Sequence, residues 1–311
     1  MIRFTIRRIL QMIPTIIAVA LLIFFIFSIV PGSFVSGLMA DGRNAADPAY
    51  MEQLNREFGL DKPMYHRFFA YLGDLARFDL GTSFRSRQPV WDVISERIGA
   101  SLVLAAAAMV FAMVIGVPLG FLAALKPGSI LDTSTMIGAV SGLSLPQFWL
   151  GLLMMYFFSL QLGWFPSFGY GGGDLKHLVL PAITLGVTPL ALLARTTRAG
   201  VLDVMSADYI RTAQSKGMSN RRVVQWHVAR NVMVLVVTTI GLQFGSMMGQ
   251  AVVIEKLFSW PGVGSLLVDS VALRDLPVVQ GTILVIVLWF LIINTAVDII
   301  YAAIDPRIKQ R

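Results

Sequence analysis

Residues 98–125 read IGASLVLAAAAMVFAMVIGVPLGFLAAL and contain no Lys, Arg, Asp or Glu. An α-helix needs about 20 mostly apolar residues to cross the hydrocarbon core of a bilayer, so this stretch predicts a membrane-spanning helix. The sequence predicts six such spans in all. The other five charge-free stretches are residues 9–40, 133–173, 178–194, 231–254 and 276–297.

Composition supports a membrane protein. Of the 311 residues, 56% are hydrophobic and 14% are charged, whereas a soluble domain carries roughly 25% charged residues. The sequence contains no Cys, which excludes disulfides, Cys-ligated zinc and thiol catalysis. Turn residues end the first span near Val30 and the third near Leu162. The first apolar run has no cleavage site of the signal-peptide kind, so we expect it to be a retained span.

The distribution of charge predicts the orientation of these spans. A net charge of +7 is also found in proteins that bind nucleic acid, so the location of the basic residues matters. With the N-terminus inside, the inner segments carry a net charge of +9 and the outer segments −2. Basic residues accumulate in cytoplasmic loops of membrane proteins. We therefore predict a multi-pass protein of the inner (cytoplasmic) membrane, with both termini cytoplasmic, that contacts lipid and does not bind nucleic acid.

The spans and loops divide the chain into three parts. Residues 1–30 form the cytoplasmic N-terminus and the first transmembrane helix, residues 31–97 an external (periplasmic) insertion, and residues 98–311 a core of five helices. Helical periodicity within the insertion predicts a small, largely helical cap, although a passive spacer is the alternative. The predicted fold class is all-α: six transmembrane helices with a mostly helical external insertion after the first.

The cytoplasmic loop at residues 203–230 has the pattern of a helix, a glycine turn and a second helix. Asp203 or Ser206 can cap the first helix, Gly217 can end it with a left-handed residue, and Ser219 can cap the next. This pattern predicts two short helices on the cytoplasmic face.

One face of the first short helix is apolar and small. Ala207, Ile210 and Ala213 share this face at helical spacing, and small residues there would leave room for the groove of a partner protein. The second helix carries Arg221 and Arg222, so an interfacial helix held by anionic lipid is the alternative.

The same loop resembles that of a known family. The stretch DYIRTAQSKG at residues 208–217 resembles the "EAA" loop of ATP-binding-cassette importer permeases, and more narrowly that of the dipeptide/oligopeptide/nickel permease family. The stretches LPQFWLG at 145–151 and FSWPGVG at 258–264 are similar to that family as well. The glutathione and dipeptide members are the most similar, as in GLQFG at 241–245 and LVDS at 267–270.

The chain departs from the family pattern at two places. Arg211-Thr212-Ala213 stand where Glu-Ala-Ala gives the loop its name, and Leu235 stands where relatives often have proline. Without that proline, the start of the fifth span keeps its backbone donor and has no reason to kink there.

The resemblance implies the permease subunit of an ATP-driven importer. The first short helix would then be a coupling helix that docks on an ATPase subunit. The chain has no G-x-x-x-x-G-K-[ST] phosphate loop, so we expect no ATP hydrolysis, no cofactor and no metal in this chain, with ATP and Mg bound by partner subunits. The residues assigned to coupling are Ala207, Asp208, Tyr209, Ile210, Arg211, Ala213, Lys216 and Gly217.

The resemblance also implies three kinds of partner protein. These are a second homologous permease that completes the translocation path, two cytoplasmic ATPase subunits, and a periplasmic or lipid-anchored substrate-binding protein. The expected cargo is a di- or oligopeptide or a glutathione-type peptide. A nickel chelate or haem is the alternative cargo for the same architecture.

Polar residues inside the spans are candidates for the translocation path, because they are costly unless they face protein or water. Hydrogen bonding between helices is the alternative for each. Asp298 lies near a cytoplasmic end, where it could be solvated or paired with a base such as Arg195. The candidates for the path are Gln147, Gln243, Ser246, Gln250 and Asn294.

The outer loop after the fifth span is apolar and contains a rigid turn. Phe258, Trp260, Pro261 and Gly262 predict a loop that enters the pore mouth or contacts the binding protein, while an aromatic belt at the membrane interface is the alternative.

A secondary transporter fits poorly, since its coupling ions usually need carboxylates within the membrane. An intramembrane enzyme also fits poorly, because the three His residues lie far apart in loops.

Overall fold

The structure is a computed structural model that describes residues 2–29 and 62–304. Throughout these residues the regular elements are helices, which confirms the predicted all-α class. Residues 31–61 of the external insertion and the Asp305-Pro306-Arg307 stretch lie outside the described residues. The helices are α1 (Ile2–Ile29), α2 (Met64–Ala76), α3 (Val90–Leu125), α4 (Ile130–Ser144), α5 (Gln147–Met154), α6 (Leu175–Ser206), α7 (Asp208–Ser215), α8 (Asn220–Leu257), α9 (Val263–Ala272) and α10 (Leu276–Ile304).

Five of the described helices, α1, α3, α6, α8 and α10, are long and apolar enough to cross a membrane. The third predicted span differs, because α4 and a helix over Gln147–Gln161, formed by α5 and a following π-helical segment, meet at an angle of 107°. Pro146 lacks a backbone N–H and disfavours helical geometry at Leu145. Leu145 is accordingly extended, with φ −81° and ψ 132°. The expectation of a single uninterrupted third span was wrong in this respect.

Helix contacts show that α3 and α6 run in the same direction. A Cβ atom added to Gly116 would lie 2.6 Å from the carbonyl oxygen of Leu190, and one added to Gly120 would lie 2.2 Å from that of Ala194. Because both residue numbers rise together, the two helices are parallel. A chain that crosses twice in one direction must return between the crossings, so the bent pair α4–α5 counts as a span.

The bent pair runs antiparallel to α6, as a return crossing requires. Gly142 of α4 lies against Val187 and Ala191 of α6, and Gln147 at the start of α5 donates to Thr188. Gly151 of α5 lies against Thr184 of α6, so residue numbers on α6 fall as those on α4 and α5 rise, although the two helices bend by 107°.

The last two long helices, α8 and α10, are also antiparallel. An added Cβ at Gly241 would contact Val297, whereas one at Gly245 would contact Ile293. Helix α1 pairs with α10 in turn, since Arg8 lies against Asp298 at one end. Over the described residues the chain therefore crosses six times, and the start of α1, the end of α10 and the 207–219 loop all lie at one end of the bundle.

The close approach of α3 and α6 gives a direct stability prediction. Replacing Gly120 with alanine would place a Cβ against a carbonyl oxygen of the backbone, which cannot move without separating the helices. We expect a destabilisation of about 1–3 kcal/mol, typical of overpacking. The control is Gly138→Ala on α4, where a Cβ meets nothing within 4 Å. Thermal unfolding of the purified proteins measures the difference, and equal melting temperatures would contradict this packing.

The described part of the external insertion is anchored at two places. Phe24 of α1 packs against Phe68 and Tyr71 of α2, with ring centroids 5.2 Å and 6.0 Å apart. The Ser83 hydroxyl donates to a carboxylate oxygen of Asp275 over 2.5 Å. The insertion is therefore tied both to the first span and to the turn between α9 and α10.

Candidate functional site

The corner between α6 and α8 carries the predicted coupling loop. Helix α6 ends at Ser206, Ala207 is extended, and α7 follows. Gly217 has a φ of +83°, and the Gly217 and Met218 N–H groups donate to the last carbonyls of α7, a common helix ending that favours glycine. A Cβ at Gly217 would meet nothing within 4 Å, so backbone conformation alone selects the glycine. The predicted helix, glycine turn and helix are confirmed.

The predicted capping residues behave differently. Helix α6 continues through Asp203 to Ser206, whose hydroxyl donates to the Asp203 carbonyl within the last turn. Ala207 takes the N-cap position of α7, and Ser219 takes that of α8 without a side-chain cap bond. The expectation that Asp203 or Ser206 caps α7 was wrong, because α6 extends further than the pattern suggested.

The apolar face of α7 points into the chain itself. Ile210 is 1% exposed and Ala213 is 7% exposed, and both lie in the core with Val223 and Val228 of α8. Ala207 is half-buried. The expectation that this face offers room to a partner was wrong. A short amphipathic helix buries its apolar side wherever its own chain provides a core.

The opposite face of α7 is exposed and polar, and we call it the outward face. The Asn231 side-chain amide of α8 donates to the Tyr209 hydroxyl over 3.0 Å. This hydrogen bond fixes the orientation of α7, and so of the outward face, relative to α8. Five of the eight residues assigned to coupling lie on this side. They are Asp208, Tyr209, Arg211, Lys216 and Gly217.

Three of the path candidates lie together on α8. The Ser246 hydroxyl donates to the Gln243 carbonyl over 2.9 Å, and the Gln250 amide donates to the Ser246 hydroxyl over 3.0 Å. The three residues lie on one face of α8, because they are three and four residues apart. The other two candidates lie elsewhere: Gln147 bonds Thr188 between α5 and α6.

Asn294, the fifth candidate, lies where α10 packs on α8. Its side-chain oxygen is buried beside Gly245 and has no hydrogen-bond partner among the described residues. The structure therefore does not gather the five candidates at one place, and their role in a path stays a prediction.

Asp298 on α10 is paired with a base, but not with the expected one. Its Oδ2 atom lies 3.3 Å from Nε of Arg8 on α1, and both side chains are about two-fifths exposed. The suggested partner Arg195 is wrong, because α10 packs on α1 and α8 and not on α6 at this end.

Sequence patterns missed a buried carboxyl group at the other end of the bundle. Glu255 is 0% exposed. Its carboxyl group accepts hydrogen bonds from the Ser101 hydroxyl over 2.5 Å, from the Ser265 N–H over 3.0 Å and from the Gly264 N–H. Ser101 also accepts from the N–H of Val263 over 2.8 Å. We call Glu255, Ser101 and the turn at residues 262–265 the outer clasp.

The aromatic loop before this turn is an anchor. Phe258 and Trp260 are each 1% exposed. The Trp260 indole N–H donates to the Ala100 carbonyl over 2.9 Å, and its ring meets Tyr170 edge-on at 4.8 Å. The expectation that both aromatics are exposed was wrong, since burying large rings is strongly favourable once the indole N–H has a partner.

The two remaining residues of that loop differ in their surroundings. Gly262 is buried, and a Cβ there would lie 2.2 Å from the Glu255 carboxyl carbon, so only glycine fits. Pro261 remains accessible at a cleft of about 530 Å³ that Glu96, Arg97 and Tyr170 also line. Pro261 and this cleft form the accessible part of the loop.

Six crossings with a helix–glycine–helix corner at one end make the described part of the chain a multi-pass membrane protein. Residues 116–310 match the family described as "Binding-protein-dependent transport system inner membrane component", and residues 1–105 match its N-terminal counterpart. The chain belongs to this family, and it is the permease subunit of an ABC importer of the peptide/nickel group, a multi-pass inner-membrane protein. The family is one of membrane permeases and not of ATPases.

The similarity to known proteins extends over the whole chain. It is 43% identical over 311 residues, covering 100% of both sequences, to proteins named "Glutathione transport system permease protein GsiC" of Escherichia coli strain K12 and of Shigella dysenteriae serotype 1. A solved structure of the MetNI methionine ABC transporter in an inward-facing conformation matches with a TM-score of 0.58 and 18% identity, over 68% of this chain and 96% of that one. The second likeness supports the fold alone.

Proposed function

We propose that this permease imports small peptides of the glutathione type, driven by ATP hydrolysis in separate subunits. The assignment of the cargo rests on the full-length similarity to permeases named for glutathione transport. The observation that carries the coupling is the arrangement of α7, which is anchored inward by Ile210 and Ala213 and leaves the outward face free.

Two cytoplasmic ATPase subunits supply the force, and they bind the ATP and Mg. A groove on one ATPase receives the outward face of α7. Since α7 is packed on both α6 and α8, closure of the ATPase pair moves these helices and rocks the bundle between inward and outward openings. The basic end of the bundle faces the cytoplasm with both termini, in accord with its net charge of +9.

A second homologous permease completes the translocation path. All five candidates are only partly buried by the chain itself, so they can line a path between the two permeases: Gln147, Gln243, Ser246, Gln250 and Asn294. A periplasmic or lipid-anchored binding protein delivers the cargo at the outer end. Pro261 and the cleft beside the outer clasp are its contact surface on this chain.

The cargo is tested with the substrate-binding protein that serves this permease. We expect the purified protein to retain glutathione or a short peptide, which calorimetric titration measures directly. Retention of a nickel chelate or haem, with no binding of glutathione or dipeptides, would contradict the peptide assignment while leaving the importer architecture intact.

A further inference from the structure

A partly buried ion pair attaches α4 to α6 near the coupling loop, with the Arg198 side chain 27% exposed. Asp132, in the first turn of α4, is only 4% exposed. Arg198 of α6 donates to both of its carboxylate oxygens, from Nε over 2.5 Å and from Nη2 over 2.8 Å. Two parallel hydrogen bonds from a planar guanidinium fix both the position and the orientation of a carboxylate. We call this pair the cytoplasmic clamp.

The turn before α4 is built around the same carboxylate. The Gly128 N–H donates to Asp132 Oδ2 over 2.9 Å, and Gly128 has a φ of +76°. The Asp132 N–H in turn donates to the hydroxyl of Ser129, the N-cap residue of α4. The turn, the start of α4 and Arg198 therefore form one hydrogen-bonded unit.

The rest of α4 has few anchors of its own. Its buried residues are Asp132, Ala139 and Gly142, and Gly142 lies against small and branched side chains of α6. Within a membrane, apolar side chains are as well solvated by lipid as by protein, so such contacts resist sliding weakly. The clamp is the contact that fixes the register of α4 on α6.

Helix α6 connects the clamp to the coupling loop without interruption. It continues from Leu175 to Ser206, and α7 begins two residues later. Arg198 is thus about two helical turns from the end of α6. A displacement of α7 reaches Arg198 through one continuous helix.

We propose that Asp132 and Arg198 are positioning residues for transport, which make α4 move with α6 and α7 as one rigid body. Force applied to α7 then reaches the bent helix pair α4–α5 and reshapes the path beside it. This inference rests on the proposed role of α7 as the coupling helix.

The first test is the ratio of uptake to ATP hydrolysis in the complete complex. Asp132→Asn should leave ATP hydrolysis in place while uptake per ATP falls on the order of tenfold. A fold-change of this size is typical of substitutions that alter the coupling between two sites. The exchange Asp132→Arg with Arg198→Asp should restore part of the ratio, since it returns the ion pair but not the acceptor of the Gly128 N–H. Asp92→Asn, at an exposed acid in the first turn of α3, is the matched control and should leave the ratio unchanged. A parallel loss of both activities at constant ratio would overturn the inference.

The second test measures directly whether α4 and α6 move together. It uses a complex that keeps both Asp132 and Arg198, so it does not depend on the folding of the Asp132 variants. The chain has no Cys, so Ile137→Cys on α4 and Ala199→Cys on α6 provide two clean sites for spin labels. In an otherwise unchanged complex, the distance between the labels should be the same without nucleotide and with trapped ATP. A distance that changes between the two states would overturn the inference.

The two proposals fail in different ways. Absence of ATP-driven uptake by the unmodified complex would contradict the proposed function, whereas a changing label distance in a complex that does transport would overturn only the clamp.

Discussion

Replacing Glu255 with alanine is expected to destabilise the protein by about 3–5 kcal/mol, because it removes the shared acceptor of three buried hydrogen-bond donors. The substitution leaves the Ser101 hydroxyl and the N–H groups of Gly264 and Ser265 without their acceptor inside the protein, and each stranded donor costs about 1–3 kcal/mol, without strict additivity. It also opens a cavity between α3 and α8. The outer clasp therefore holds the outer end of the core together.

Thermal unfolding of the purified variants measures this loss. Lys256→Ala is the matched control, since Lys256 is the next residue, is half-exposed and pairs only at the surface with Asp269. Such pairs contribute up to about 1 kcal/mol. Glu255→Gln keeps the shape and one acceptor oxygen, so its melting temperature should lie between the two. Equal melting temperatures for Glu255→Ala and Lys256→Ala would show that the outer clasp contributes nothing.

Truncating Arg211 on the outward face of α7 to alanine is expected to abolish most ATP-driven uptake without loss of folded protein. Arg211 is exposed, so Arg211→Ala leaves the core intact while it removes a charged contact with the ATPase. Truncation of a central contact residue typically weakens binding by at least about 2 kcal/mol, or roughly thirtyfold. We expect a loss of uptake of that order.

The neighbouring residue provides the contrast. Ile210 is buried against α8, so Ile210→Ala should destabilise the protein by about 2–5 kcal/mol and lower its amount in the membrane. Co-purification with the ATPase and uptake per assembled complex separate the two effects. If Arg211→Ala binds the ATPase and transports normally, the outward face is not the coupling surface.

Sequence patterns predicted the spans and the coupling corner well because both depend on local composition. Charge-free stretches identify membrane helices wherever the bilayer is the solvent, and Gly217 marks a helix end through its own backbone conformation. The orientation of α7 was not predictable in this way. Periodicity shows that Ile210 and Ala213 share a face, but only the fold shows which neighbour covers it.

The bend at Pro146 shows a second limit of local patterns. Pro14, Pro118 and Pro189 lie inside continuous helices, so a proline in an apolar stretch does not by itself predict a break. The helix breaks at Pro146 because Leu145 is extended there, and tertiary contacts decide between the two outcomes.

The buried polar contacts were the least predictable features. Glu255 directly follows the charge-free stretch 231–254, where an acid indicates a loop, yet it bonds Ser101, which is 154 residues away in sequence. Asp132 and Arg198 are separated by 66 residues, and each alone is an ordinary residue at a membrane boundary. Hydrogen bonds between residues so far apart in sequence depend on how the helices pack.

Uptake by proteoliposomes tests the central claim most directly. The complete complex is reconstituted with the binding protein and labelled glutathione on one side and nucleotide on the other. The account predicts accumulation only with hydrolysable ATP, and its loss in the Arg211→Ala variant. Accumulation without ATP, driven by an ion gradient alone, would contradict it.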